Sequence, residues 1–285
     1  MATVGMGGKA SVVCDVASSK LGSLFNSTTG CVRVQKITPS HKTDPLDTTS
    51  IGNSGVRTFT TGLKELDFTV EGIYPRAAPS IGTFALTMTG GPTFRPAFVD
   101  VNISFGTPVD ITTGSDAANG YKVFAMPQEC SWTADVECLF DSSAAIIGPD
   151  APNSVGTACT IKLAEGGSND PTLTGTALIV AVDSPVEQAG KIMLRVKLQG
   201  TSTLTFAAGS GNYASPLPAG AMSSGQSDWD TDGDGTPDIT TVVTLDTSRT
   251  ITGPMSLTSL RIRTDPRVSI AMTAGIKCMG APSFA

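Results

Sequence analysis

The sequence predicts a mainly β protein with one short helix and long loops, and three observations carry that prediction. Apolar residues recur at every second position in stretch after stretch, as strands with one wet face require. The chain is rich in Gly, Thr, Ser, Ala and Val, with only 6% aromatic and 15% charged residues, which suits short strands joined by small-residue turns. Helical periodicity is nearly absent.

The strands are expected in order along the chain. The first two are ASVVCDV (10–16) and CVRVQKI (31–37), followed by a long polar loop at 43–61, TDPLDTTSIGNSGVRTFTT, with Gly52 and Gly55. LDFTVEGIY (66–74), GTFALTMTG (82–90), AFVDVNISF (97–105) and SWTADVECLF (131–140) alternate next. In DSSAAIIG, Asp141 or Ser142 can cap one or two helical turns that Gly148 and Pro149 end. TACTIKLA (157–164) and GTALIVAV (175–182) precede the clearest strand, KIMLRVKLQG. There Ile192, Leu194, Val196 and Leu198 point one way, and Lys191, Arg195 and Lys197 the other. A Gly/Pro/Ser-rich insertion fills 207–238, and TTVVTLD, SLTSLRIR and RVSIAMTA resume the alternation after residue 240.

The 285 residues suffice for one large β domain or two small ones. A formal charge of −6 and a pI near 4.8 argue against a nucleic-acid-gripping surface, which needs clustered Lys and Arg. No secretory leader is expected from the N-terminal residues, and no apolar run approaches membrane-spanning length. The cysteines Cys14, Cys31, Cys130, Cys138, Cys159 and Cys278 lack C-x-x-C spacing, so they are expected to be small buried hydrophobes rather than zinc ligands or disulfides.

Catalysis finds little support. The single histidine, His41, is the only base on which a Ser-His or Cys-His site could be built, and no G-x-S-x-G elbow accompanies it. No Walker A or dinucleotide fingerprint is present. The expectation is a non-enzymatic protein, with a hydrolase on a β scaffold using His41 as the rival.

DTDGDGTPD is the one motif with defined coordination chemistry. Asp230, Asp232 and Asp234 take positions 1, 3 and 5 of a calcium loop, Gly235 the turn, Thr236 the carbonyl position and Asp238 position 9. Position 12 is Thr241 instead of a bidentate Glu, so closure needs another ligand such as Asp228 or a carbonyl. The alternative is a solvated acidic turn. Calcium is the expected cofactor, because carboxylates this close repel unless a cation neutralises them.

Residues 32–74, with LDTT at Leu46–Thr49, a Gly-rich loop and GLK at Gly62–Lys64 opening a strand that ends in EG, resemble the major tail tube proteins of long-tailed, siphovirus-like bacteriophages. TGTALIVAVDSPVEQAGKIMLRVKLQGTST (174–203), with its late LQGT at Leu198–Thr201, is similar to that family's closing β-hairpin. The resemblance divides the chain into a tail-tube-like β domain (1–206), the insertion with its acidic loop (207–240) and a C-terminal β extension (241–285).

The resemblance implies a tail-tube-type β-sandwich or barrel in the virion tail, assembled in the host cytoplasm. Its partners would be copies of itself in stacked, typically hexameric rings, other tail proteins, and DNA passing through the lumen without specific binding; no membrane is involved. It also implies that the 43–61 loop reaches the neighbouring ring, with Asp44, Asp47, Arg57 and Lys64 as inter-ring polar contacts. The rival class is a head decoration, fibre or calcium-stabilised surface binding module. An internal echo, DPLDTTS…FTVEGIY…APSIGTFALTMTGG against TPVDITTG…TADVECLF…APNSVGTACTIKLAEGG, raises the possibility of a duplicated unit and hence a trimeric ring.

Overall fold

The computed structural model describes residues 11–14, 33–49, 56–74, 84–88, 93–94, 96–114, 120–126, 130–139, 155–156, 158–164, 172–183, 193–202, 204–207, 240–245, 249–264 and 270–285. Its strands are β1 (Ser11–Cys14), β2 (Arg33–Asp47), β3 (Phe59–Tyr74), β4 (Phe84–Met88), β5 (Thr93–Phe94), β6 (Pro96–Ser104), β7 (Val109–Asp110), β8 (Phe124–Ala125) and β9 (Ser131–Leu139). They continue with β10 (Ala158–Ala164), β11 (Thr172–Asp183), β12 (Met193–Gly200), β13 (Thr205–Ala207), β14 (Thr240–Thr244), β15 (Thr250–Thr264), β16 (Ile270–Cys278) and β17 (Ser283–Phe284). The protein is mainly β, as expected, and no helix occurs among the described residues.

The main sheet runs β2-β3-β16-β15-β6-β9-β12-β11-β10-β4-β5, and all these pairings are antiparallel. Period-two patterning fixes its register. Val70 lies opposite Ala274, Ala274 opposite Leu260, Leu260 opposite Ile103, and Ile103 opposite Trp132. One row over, Val136 stands between Val99 and Val196, and Ala134 between Val101 and Leu198. All of these side chains are buried, so one apolar face crosses seven adjacent strands, β3 to β12 with Ala177 and Ile179 of β11 extending it. A buried Val, Leu or Ile contributes about 1.5–3 kcal/mol. Exposed ion pairs on the opposite face, such as Arg195 with Glu137, contribute about 0–1 kcal/mol each. The apolar face therefore decides the fold, and slipping any strand by one residue would turn its core set outward.

β15 belongs to two neighbourhoods. Its first half pairs with β14 and β17, and its second half with β16 and β6. A bulge between Leu257 and Ser259 interrupts its ladder with β16, which begins at Met255–Cys278. β15 and β16 therefore stand between β3 and β6, and the segment after residue 241 supplies interior strands of the sheet.

The expected loop at 43–61 is corrected. Residues 43–47 continue β2 and 59–61 open β3, paired Pro45 with Thr61, Leu46 with Thr60 and Asp47 with Phe59. A ribbon wet on both faces needs no apolar alternation, so its Thr-rich strands look like loop. Pro39 and Pro45 lie on β2, the outermost strand of the sheet among the described residues, where missing N–H groups are tolerated. The expected helix at 141–148 lies outside the described residues, as does almost all of the 207–238 insertion.

The internal echo is present locally but not in the pairing. Asp47 accepts from the backbone N–H of Thr49 at 2.9 Å, and Asp110 from that of Thr112 at 3.0 Å, the same turn in both stretches. Yet β2 pairs with β3 along its length, whereas β7 pairs with β8.

Candidate assembly site

Beyond the end of β16, β2 and β3 leave the sheet as a two-stranded arm. β16 accompanies β3 only as far as the pair Asp67–Lys277, while the β2–β3 ladder continues to Asp47–Phe59 and to a Thr48 N–H bond to the Thr58 carbonyl at 2.8 Å. At a rise of about 3.3 Å per residue this adds roughly 15 Å past Lys64. Residues 41–49 and nearly all of 56–61 are exposed. Near the tip Leu46, Val56 and Phe59 are 54%, 65% and 56% exposed, an apolar load that an isolated ribbon has no core to cover.

At the arm's base the ladder shifts between the pairs Thr43–Lys64 and Pro45–Thr61, so Gly62 and Leu63 of β3 together face Asp44 of β2, and the bulge lies on β3. A Cβ on Gly62 would stand 2.2 Å from the Asp44 carbonyl oxygen, so only glycine allows the strands this close. The Thr43 hydroxyl donates to the Gly62 carbonyl at 3.1 Å. Residues 120–126 then act as a strap along the edge of β3 that β16 has left. Lys64 N–H donates to the Gly120 carbonyl, Lys122 N–H to the Lys64 carbonyl, both at 3.0 Å, and Phe124 N–H to the Met279 carbonyl at 2.9 Å.

Charged side chains rivet this junction. Lys122 Nζ lies 2.6 Å from Asp44 Oδ2 and 2.6 Å from Glu65 Oε1, with Asp110 Oδ2 at 3.9 Å. Lys277 Nζ lies 3.0 Å from Glu65 Oε2 and 3.1 Å from Asp67 Oδ1, and 4.0 Å from the Phe124 ring centroid. The Lys122 hydrogen bond, with Lys277 beside it, holds the Glu65 carboxyl below its ordinary range against the opposing effect of burial. Hydrogen bonds to Asp44 and then Glu65 push the Lys122 ammonium above its ordinary value. His41 stacks on Tyr121 at 5.7 Å between centroids, and Lys64 Nζ lies 5.7 Å from the same ring.

The four residues expected at a ring-to-ring contact therefore occupy different places on one arm. Asp44 is opposite the bulge, ion-paired within its own chain, and Lys64 is at the base over Tyr121. Asp47 is near the tip, where the Thr49 hydroxyl and N–H hold its carboxyl below the usual range, and Arg57 is exposed in the connection. Asp230, Asp232, Asp234, Thr236 and Asp238 lie outside the described residues. Among the described residues no group of three or more His, Cys, Asp or Glu is arranged to hold a metal. Sequence reasoning missed Lys122, Tyr121 and Lys277. They sit 57 and 212 residues from Glu65 in the Lys122 and Lys277 contacts, with no local pattern to announce them.

No protein family matches the sequence, and no curated protein is similar to it. One solved structure, described as the virion of a native gene transfer agent particle, aligns over 71% of this chain and 98% of its own at 11% identity with a TM-score of 0.18.

Proposed function

We propose that this chain is a structural virion protein, a tail tube subunit that assembles without catalysis into stacked rings through which DNA passes. The observation that carries the reading is the arm: a polar two-stranded ribbon with exposed Leu46, Val56 and Phe59, projecting from a rigid sheet. A monomer gains nothing from such a feature, whereas a neighbouring copy can cover it. The outermost strands of the sheet, β2 and β5, supply backbone edges of the kind that lateral neighbours use. A net charge of −6 suits a channel that must not hold DNA.

Electron microscopy of the purified protein tests this. Tubes or stacked rings with an open lumen are expected. The double variant Leu46→Ser/Phe59→Ser should stop at single rings or free subunits with an unchanged melting temperature. A wild-type protein that stays monomeric at high concentration overturns the reading.

A further inference from the structure

We propose that Lys122 is the positioning residue of the arm, clamping Asp44 of β2, which faces the β3 bulge, to Glu65 of β3 and so fixing the direction in which the arm leaves the sheet. A bulge bends and twists the strand that carries it, and a two-stranded ribbon has little stiffness of its own. Both conditions meet where Gly62 and Leu63 of β3 face Asp44, just past the Asp67–Lys277 pair at which β16 stops supporting β3. The strap at 120–122 supports the junction there through its two backbone bonds to Lys64.

Lys122 adds what backbone bonds cannot. Its single ammonium reaches a carboxylate on each strand, one opposite the bulge and one on the body side, each at 2.6 Å. Three N–H donors on one flexible stem suit that double grip. Removing the charge frees the bulge and leaves Asp44, Glu65 and Asp110 without their shared cation, although Lys277 still reaches Glu65. The arm would then sweep a range of angles while the sheet, held by its apolar face, stays intact. The value of a fixed angle for assembly rests on the tube reading; the clamp itself does not.

The test uses pulsed dipolar EPR on unassembled full-length subunits. Spin labels are carried on ketone-bearing residues replacing Thr60 and Thr133, with a body control pair at Thr69 and Thr133. The native cysteines stay unlabelled. Wild type and Lys122→Arg should give one narrow arm-to-body distribution. Lys122→Met and Asp44→Ala should broaden it, about twofold, with the control pair unchanged. Asp44 is largely exposed, so its variant decides the matter if Lys122→Met fails to fold. An unchanged arm distribution in Asp44→Ala, or broadening that always extends to the control pair, overturns the clamp. A subunit that passes this test yet forms no tubes counts against the tube reading alone.

Discussion

The indole of Trp132 lies against the backbone of Gly200, with its Nε1 donating to the Ser202 carbonyl at 2.6 Å. A Cβ on Gly200 would stand 2.2 Å from that nitrogen, and one on Gly175 would stand 2.8 Å from the ring's Cζ2. Two glycines on neighbouring strands thus make the recess that a strand-borne Trp fills. Gly200→Ala must displace a buried ring and should cost about 3 kcal/mol. Gly114→Ala, with nothing within 4 Å of its Cβ, should stay within about 0.5 kcal/mol of wild type. Denaturant unfolding followed by circular dichroism compares the two.

Asp100 is only 5% exposed, and the half-exposed Arg261 on β15 grips both of its oxygens, Nε to Oδ1 at 2.8 Å. Arg261→Met would leave a buried carboxylate unpaired. Because Arg261 itself is half in water, we expect a loss of about 2 kcal/mol, below the full figure for a buried pair. Adding Asp100→Asn should restore roughly half of it. A double-mutant cycle in urea that finds the two changes additive would contradict this.

Acid should loosen the strap before it unfolds the sheet. The Glu65 carboxyl lies below its ordinary value in the folded protein, so its contribution is complete above about pH 4.5 and is lost as pH falls through the lowered folded value. Asp110, held low by the Thr112 hydroxyl and N–H, acts in the same direction. Pulse-labelled hydrogen exchange, stepped down from pH 5, should show the Lys64, Lys122 and Phe124 amides losing protection first. The amides of β6, β9 and β12 should hold to lower pH. Simultaneous loss would contradict the order.

Burial pushes the Cys130 and Cys278 thiols up to about 11. At pH 8 about one molecule in a thousand then carries either thiolate. Both should react with a soluble disulfide reagent at least a hundredfold more slowly than in the denatured chain, as read by mass spectrometry of labelled peptides.

How much the sequence disclosed depended on whether a residue's neighbours left a local trace. Val196 and Leu198, buried between exposed Arg195 and Lys197, announced β12 because one face of that strand is dry. The arm left no such trace, since both its faces are wet and Thr serves on either. Asp100 looked like a wet-face residue in AFVDVNIS and is buried because Arg261 comes from 161 residues away to cover it. The glycine of LQGT looked like turn punctuation. Its reason is the Trp132 ring, which no spacing within 198–201 could reveal.

The interleaving of β15 and β16 between β3 and β6 also orders events in time. A ribosome delivers β2, β3, β6 and β9 long before the two strands that must separate β3 from β6. Until Thr250–Cys278 emerge, the nascent sheet remains in two unjoined parts, and Lys277 is not there to meet Glu65 and Asp67 at the arm's base. A chain cut short before that point cannot build the platform from which the arm projects. The order of synthesis thus makes the arm's platform one of the last parts of the sheet to form.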